Sequence, residues 1–368
     1  MYSKELSSIK KSNRFRTREL FDENLIDLAS NDYLGLSTNK NIFQEAYETV
    51  LKEKYHSPKA SMLVNGYTHI HKEFEEKLCR TNHFENAVIV GSGFLANIAM
   101  IEALCRKNDT LFIDEDYHAS GILATKLLRP EQVIIFKHND CDDLKEKITQ
   151  NKRVGRNIIA IEGVYSMGGD LAPKEIFDFA DENKAILVVD EAHSSGVIGE
   201  NLLGIFDYYK IKPTKYHIKM GTLGKAYSSY GAYILASNEI IDFLTNRAKP
   251  IIYSTAPSIF DTALGSKSLD FIIQNKKDLK EKINKNLNII EEILGIKSNS
   301  LIIPIVIADN KKVKDIQEIL KQKGYLVGAI RQPTVKEAII RLIAKIDISE
   351  DDLINVCKIL KELRWKLF

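Results

Sequence analysis

The sequence predicts an α/β protein with a seven-stranded, mostly parallel sheet, followed by a smaller α+β domain. Short runs of valine, isoleucine and leucine recur between residues 85 and 237, and helical spacers separate them. This pattern is typical of strands that are covered on both faces and joined by crossover helices. A chain of 368 residues is also too long for one small core. A second, shorter set of strands and helices follows from about residue 300.

The strands of the large sheet are predicted from short apolar runs. They cover residues 87–90, 110–114, 132–136, 157–161, 185–190, 217–220 and 231–236. Asp114, Glu162 and Asp190 lie at the ends of three of these runs. Because the carboxyl ends of parallel strands meet at one edge of a sheet, these carboxylates are expected to gather where such sheets bind ligands.

The chain is predicted to have three parts: an N-terminal arm at 1–40, a large α/β domain at 41–250 and a small α+β domain at 251–368. The arm is polar and basic, cannot form a core alone, and is expected to pack on a neighbour or a second subunit. A lysine-rich helical segment at about 260–294 leads into the small domain. Strands are predicted there at 301–308, 325–331 and 338–344, and helices at 311–323 and 350–363.

The composition gives no support for nucleic acid or a membrane surface as the main partner, since 52 basic side chains balance 50 acidic ones. The first residues carry charges where a signal peptide needs an apolar run, so a cytoplasmic protein is expected. The four cysteines are scattered without a C-x-x-C pair, which indicates neither disulfides nor a metal site. His69 and His71 are expected to be surface histidines.

Lys225 lies in a turn of small residues between two apolar, β-rich runs, within residues 216–237. The amine is therefore predicted to lie on a sharp loop between two strands. Most of the 52 basic residues must be solvated at the surface. A catalytic role for Lys225 is thus a hypothesis that other parts of the sequence have to support.

A glycine turn at Gly91 and Gly93 joins a predicted strand to a helix. Free amides and the helix dipole at such a turn form an anion site. The turn also spells G-x-G-x-x-A, and Asp114 follows about twenty residues later, as in a dinucleotide fingerprint. A nicotinamide-dependent dehydrogenase is therefore an alternative, although some 85 residues precede the motif. A glycine turn without any ligand is a further one.

Several polar groups are expected to converge at the predicted strand ends: His118, Glu162, Ser166, Asp190, His193, Thr222 and Lys225. Each of them has an ordinary structural explanation, such as a helix cap, a core histidine or a turn. An aspartate at the end of a central strand, however, is costly to bury unless it meets a cation or a protonated nitrogen. Pyridoxal phosphate needs a lysine amine, a carboxylate at its ring nitrogen, and amides with a hydroxyl around its phosphate. The joint pattern favours that cofactor.

At these residues the sequence resembles the α-oxoamine synthases, which are pyridoxal-phosphate enzymes of aminotransferase-like fold (fold type I) that join an amino acid to an acyl thioester. The resemblance runs from about residue 26 to the C-terminus. The motifs that carry it are residues 31–36 (NDYLGL), 91–97 (GSGFLAN), 162–170 (EGVYSMGGD), 190–199 (DEAHSSGVIG) and 221–225 (GTLGK).

The resemblance implies a role for each matching residue. Lys225 would bind the cofactor covalently, and Asp190 would pair with the ring nitrogen. His193 would contact the ring hydroxyl, and His118 would stack on the ring. The remaining implied cofactor-binding residues are Ser92, Gly93, Phe94 and Thr222 around the phosphate, with Glu162 and Ser166 beside the cofactor.

Arg341 matches the arginine that grips the substrate carboxylate in these enzymes, which suits its two-pronged guanidinium. Asn31 would lie on the substrate side. The resemblance also implies a homodimer with shared active sites, toward which residues 251–257 (IIYSTAP) contribute.

Residues 329–335 (AIRQPTV) are similar to the corresponding motif of the family member that condenses L-alanine with a pimeloyl thioester in biotin biosynthesis. The nearest alternative is glycine C-acetyltransferase, which lacks that motif. A non-enzymatic scaffold subunit is a further alternative, but such subunits lack the lysine. Three departures from the family pattern concern Ser228 in place of a glycine, Gln332 in place of a proline, and residues 57–62.

Overall fold

The structure is a computed structural model that describes residues 1–12 and 14–366, with side chains to residue 363 in the last helix. The chain divides into two compact units. One unit comprises Leu34–Ser166 and Asp170–Lys280, and is called the large unit. The other, called the small unit, comprises Met1–Tyr33, Met167–Gly169 and Glu281–Phe368. The predicted division into an arm and two domains stays a prediction.

The described residues form eleven strands and fourteen α-helices. The strands are β1 Ile26–Leu28, β2 Asn86–Val90, β3 Thr110–Asp114, β4 Val133–Phe136, β5 Asn157–Glu162, β6 Ile186–Asp190, β7 His217–Thr222, β8 Ala232–Ala236, β9 Ile302–Val306, β10 Tyr325–Ile330 and β11 Ile339–Ile343. The helices are α1 Ser3–Lys11, α2 Lys40–Leu51, α3 His69–Asn82, α4 Gly93–Leu104, α5 Ala119–Thr125, α6 Cys141–Gln150, α7 Lys174–Glu182, α8 Ile205–Tyr208, α9 Asn238–Arg247, α10 Lys249–Ile252, α11 Ile259–Gln274, α12 Lys276–Leu294, α13 Asn310–Gln322 and α14 Glu350–Lys366.

The large unit is built on a seven-stranded sheet of order β2-β8-β7-β6-β5-β3-β4. Strand β8 is antiparallel to both of its neighbours, and the other pairs are parallel. The predicted fold class is thereby confirmed. The register pairs Glu162 with Asp190, and Asp190 with Met220, so the ends of β5, β6 and β7 lie side by side. This edge of the sheet is where the predicted catalytic groups come together.

The core of the large unit explains why most of these strands consist of consecutive apolar residues. All five residues of β6 are buried, and so are those of β3 and β8. Helix α4 is apolar on nearly every side and packs against them through residues such as Ala99 and Met100. Burial on both faces removes the alternation of polar and apolar residues that a half-exposed strand shows.

The small unit contains a four-stranded sheet of order β1-β10-β11-β9. The three strands and two helices predicted for it are present, with ends that differ by a few residues. Strand β1 is an addition: Ile26 pairs with Tyr325 in parallel, and Leu28 is fully buried. The end of the arm therefore packs within its own unit. The lysine-rich helical segment is interrupted at Asn275, which separates α11 from α12.

His71 corrects the expectation of a surface H-x-H pair. His69 is exposed, but His71 is completely buried on α3. Its Nε2 lies 2.9 Å from the carbonyl oxygen of Pro257, and its Nδ1 lies 2.8 Å from Thr68 Oγ1. Burial lowers the pKa of this imidazole, so the ring is a neutral structural link. Within the described part of the chain, no helix is both long and apolar enough to cross a membrane.

Candidate active site

Lys225 lies in the loop between the antiparallel strands β7 and β8. The backbone of this loop is held by three hydrogen bonds, from the amide of Leu223 to Gly231, from Ser229 to Leu223 and from Ser228 to Lys225, at 2.9, 2.8 and 2.9 Å. A loop closed in this way fixes the Cα position of Lys225, and its side chain is half-buried. The predicted tight lysine loop is therefore present.

The Lys225 amine meets His193, with Nζ 2.7 Å from the imidazole Nε2. His193 is buried and follows Asp190 by three residues, in the turn that begins where β6 ends. At this distance one of the two nitrogens donates a hydrogen bond to the other. The amine can therefore pass or receive a proton without leaving its place in the loop.

The Asp190 carboxylate is 4% exposed and is oriented by a network of amides and hydroxyls. Its Oδ2 accepts a hydrogen bond from Asn97 Nδ2 at 2.8 Å, and its Oδ1 accepts from the amide of Ala192 at 2.9 Å. Asn97 is held in turn by the Tyr117 hydroxyl, which donates to its Oδ1 at 2.7 Å. A fixed carboxylate in a buried site suits a cationic or protonated partner.

Asn97 and Tyr117 are functional candidates that the sequence did not reveal. Asn97 is a polar residue inside the otherwise apolar helix α4, and it is buried. A buried amide must find partners, and this departure from the apolar pattern was the available signal. The partner, Asp190, lies 93 positions away in the sequence, so its identity could not be read from local spacing.

His118 caps the start of helix α5, and its Nδ1 lies 2.7 Å from Ser120 Oγ. Burial lowers the pKa of the His118 imidazole, the charge of Lys225 lowers it further, and Asp190 opposes the change. The ring is thus neutral at neutral pH. An uncharged, flat imidazole beside Asp190 and Lys225 suits stacking on an aromatic ring.

Glu162 ends β5 and is fully buried. Its Oε2 accepts a hydrogen bond from the amide of Ser166 at 3.1 Å. The other oxygen, Oε1, is also buried, yet it has no hydrogen-bond partner among the described residues. Burial, reinforced by the nearby Asp190, raises the pKa of Glu162 well above its ordinary value. An unsatisfied buried polar atom in a polar site is typical of a group that completes its bonding with a ligand.

The glycine turn lies beside the end of β7, where the lysine loop begins. A Cβ added at Gly93 would lie 3.8 Å from Thr222 Cβ and 3.9 Å from its Oγ1, so the start of α4 faces the end of β7. Ser92 caps α4 by accepting from the amide of Leu95 at 3.3 Å. Phe94 is 45% exposed at the same helix start. Amides at a helix start beside a threonine hydroxyl suit a phosphate, which fits pyridoxal phosphate.

Asp114 argues against the dinucleotide alternative. Its carboxylate is completely buried and already accepts hydrogen bonds at 2.9 Å from His138 Nδ1 and from the amide of Asn139. Its complete burial keeps it from a ribose. Strand β2, which precedes the glycine turn, lies at the sheet edge and pairs with the antiparallel β8, unlike the parallel β-α-β unit that the fingerprint requires.

The two predicted substrate residues lie together in the small unit. Arg341 is buried on β11, and its Nη2 donates to Asn31 Oδ1 at 3.1 Å. The Tyr33 hydroxyl donates to the same oxygen at 3.2 Å. The contact orients the guanidinium, whose planar fork suits a carboxylate.

The fold and these groups define a pyridoxal-phosphate-dependent enzyme of fold type I. The family model for aminotransferases of class I and II matches residues 23–360, and the chain belongs to this family. Among its relatives, the 8-amino-7-oxononanoate synthase of Helicobacter pylori (strain J99 / ATCC 700824) is 48% identical over 353 residues, which cover 96% of this chain and 94% of the relative. A putative 8-amino-7-oxononanoate synthase of Aquifex aeolicus (strain VF5) is 39% identical over 95% of this chain and 94% of the relative. The enzyme is thus an acyltransferase of this type.

Solved structures agree with the fold. A serine palmitoyltransferase from S. paucimobilis, solved with a bound PLP-myriocin aldimine, has a TM-score of 0.88 at 20% identity and covers 99% of this chain and 97% of its own. The 8-amino-7-oxononanoate synthase of Francisella tularensis has a TM-score of 0.79 at 25% identity, with 94% of this chain and all of that chain covered.

Ser228 has a left-handed backbone, with φ of 46°, which explains why a glycine is the usual residue at this point of the lysine loop. The left-handed conformation costs a residue with a Cβ about 1 kcal/mol. We therefore expect Ser228→Gly to be more stable than Ser228→Ala by about 1 kcal/mol. Both variants lose the hydroxyl, so chemical denaturation of the two cofactor-free proteins isolates the backbone effect. Equal stabilities would contradict this explanation.

Proposed function

We propose that the enzyme condenses L-alanine with a pimeloyl thioester to form 8-amino-7-oxononanoate. A carbon–carbon bond forms between the alanine α-carbon and the acyl carbonyl carbon, the thiol leaves, the alanine carboxylate leaves as carbon dioxide, and a proton is added to the α-carbon. The observation that carries the proposal is the 48% identity, over 96% of this chain, to a relative named 8-amino-7-oxononanoate synthase.

The chemistry rests on residues of the large unit. Pyridoxal phosphate, when bound, supplies an electron sink for the negative charge that develops on the substrate α-carbon. Lys225 would hold the cofactor and then remove and return the proton at the α-carbon. His193, 2.7 Å from its Nζ, would keep the amine in place. Asp190 would hold the positive charge at the ring nitrogen.

The remaining residues would bind and orient. Ser92, Gly93, Phe94 and Thr222 are proposed to surround the phosphate, and Glu162 and Ser166 to lie beside the ring. His118, neutral because its pKa is lowered, would stack on the ring without competing for Asp190. Arg341, oriented by Asn31, would grip the alanine carboxylate.

A homodimer with shared active sites is the assembly that we propose. Two large aromatic side chains are exposed: Tyr230 in the lysine loop is 64% exposed, and Tyr253, within residues 251–257, is 80% exposed. Exposed aromatic groups of this size are typical of protein interfaces. A second copy of the chain would cover them.

The test is thiol release from pimeloyl and acetyl thioesters, each offered with alanine or glycine to the purified holoenzyme. We expect the pair of pimeloyl thioester and alanine to react with the highest kcat/KM, and the product to have the mass of 8-amino-7-oxononanoate. Coenzyme A and acyl-carrier-protein thioesters are compared in parallel to identify the donor. Preference for glycine with the acetyl thioester would instead assign glycine C-acetyltransferase, and no thiol release would overturn both.

A further inference from the structure

His138 connects two carboxylates beside the end of β3. It follows β4 by two residues, and its ring is only partly exposed. Its Nδ1 lies 2.9 Å from Asp114 Oδ1, and its Nε2 lies 2.8 Å from Asp170 Oδ2. A third carboxylate, that of Asp116, lies 4.0 Å from Nδ1.

This geometry favours a charged ring. A carboxylate accepts hydrogen bonds, and a neutral imidazole has a single N–H to donate. Both contacts are therefore satisfied when both ring nitrogens carry protons. Burial lowers the pKa of His138, but the hydrogen bonds and charges of Asp114 and Asp170 outweigh that effect and raise the pKa to about 10.

The neighbouring Asn139 strengthens the same link. Its amide donates to Asp114 Oδ2 at 2.9 Å, and its side-chain Nδ2 donates to Asp170 Oδ2 at 2.6 Å. Asn139 has a left-handed backbone, with φ of 54°, a conformation that asparagine tolerates better than most residues. Two successive residues thus tie the end of β3 to Asp170.

Asp170 in turn holds the segment that carries Glu162 and Ser166. Residues 170–172 pair with residues 163–165 through the bridge between Val164 and Leu171. The amide of Tyr165 donates to the Asp170 carbonyl at 2.9 Å. The Tyr165 ring also packs edge-on against the His138 ring, with centroids 4.4 Å apart. Glu162 and Ser166 are the residues on either side of this paired stretch.

We propose that His138, as an imidazolium held between Asp114 and Asp170, is a positioning residue that fixes Glu162 and Ser166 for the cofactor. It acts through Asp170 and Tyr165. The inference rests on the proposed function, because the proposed function assigns Glu162 and Ser166 to the cofactor.

The first test is the affinity of the cofactor-free protein for pyridoxal phosphate, measured from the visible absorbance of the bound cofactor. His138→Gln keeps a polar side chain but cannot bind two carboxylates with charge. We expect its Kd for the cofactor to rise about tenfold, whereas the control His69→Gln, at an exposed histidine of α3, leaves it unchanged. A purely structural role would lower stability and leave the Kd as in the unmodified protein, which would overturn the proposal.

A second test measures the protonation state of His138 directly in the unmodified protein. Histidine labelled with ¹⁵N reports whether one or both ring nitrogens carry protons. At pH 8 the His138 ring should be doubly protonated, and Asp170→Asn should move its titration midpoint to lower pH. A neutral His138 ring at pH 8 would overturn the proposal.

The contribution of the charged His138 ring to the stability of the folded protein depends on pH. Because the folded-state pKa of His138 is raised to about 10, its contribution is complete below the unfolded value of about 6.5 and is lost as the pH rises through the folded value. The stability difference between the unmodified protein and His138→Gln should therefore shrink toward pH 10.

None of these measurements of His138 uses an acyl donor. Failure of the condensation assay with intact cofactor binding would overturn the proposed substrates alone.

Discussion

Lys225→Ala is expected to abolish the condensation, with a loss of about 10⁴-fold or more in kcat. The variant removes the amine that we propose holds the cofactor and moves the α-proton. His193, whose Nε2 lies 2.7 Å from Lys225 Nζ, then has no amine to position. The visible absorption band of the lysine-bound cofactor should disappear at the same time. Absorbance spectra and thiol-release rates of the purified protein measure both effects.

Two further variants separate the amine chemistry of Lys225 from its charge. Lys225→Arg keeps a positive charge, but a guanidinium remains protonated and cannot serve as the nucleophile or base. It should therefore lose the band and the activity as completely as Lys225→Ala. Lys215→Ala, at an exposed lysine just before β7, should retain both. A Lys225→Ala protein that keeps its band, or works within tenfold of the unmodified enzyme, would contradict the assignment.

The large sheet could be predicted from the sequence because strands that are buried on both faces consist mainly of consecutive apolar residues. The strands of that sheet are mainly apolar, although β7 also contains His217, Lys219 and Thr222. Their ends differ from the predicted ones by at most two residues. Strand β1 has no such apolar run. It has three residues, one of them Asp27, and it is defined by pairing with β10, some 300 positions later.

The site could be predicted in part for a similar reason. Parallel strands bring their carboxyl ends to one edge, so Glu162 and Asp190 were expected to be neighbours, and the register pairs them directly. The residues that orient Glu162 and Asp190 could not be predicted in this way, because their contacts join side chains that are distant in the sequence. Asn97 meets Asp190 across 93 positions, and His138 meets Asp170 across 32.

Backbone conformation was another quantity that the sequence pattern could not give. Ser228 was recognised as a departure from the family wording, but only the structure shows its left-handed φ of 46°. His71 illustrates the same limit for burial, because its carbonyl partner, Pro257, lies 186 positions away. A polar residue near a helix start is usually exposed, and a long-range contact reversed that expectation here.

Asp190→Asn is expected to lower kcat by about 10³-fold while the visible band of the bound cofactor remains. The amide has nearly the same volume as the carboxylate but no charge to hold a protonated ring nitrogen. Asn97 Nδ2 donates to Oδ2 and the amide of Ala192 donates to Oδ1. An amide in this position would have to turn its own NH₂ toward one of these donors, so its orientation is also unfavourable.

The difference between the two variants is what identifies the role of Asp190. Lys225→Ala should lose both band and rate, whereas Asp190→Asn should keep the covalent link to Lys225 and lose the rate. Asp207→Asn is a matched control, because Asp207 Oδ2 likewise accepts backbone amides, at 2.6 Å from Asn201 and 3.3 Å from Leu203, but the residue is not assigned to the cofactor. It should lower the free energy of unfolding without changing kcat. If Asp190→Asn kept kcat within tenfold of the unmodified enzyme, a charge at the ring nitrogen would not be needed, and Asp190 would be a structural residue that orients Asn97.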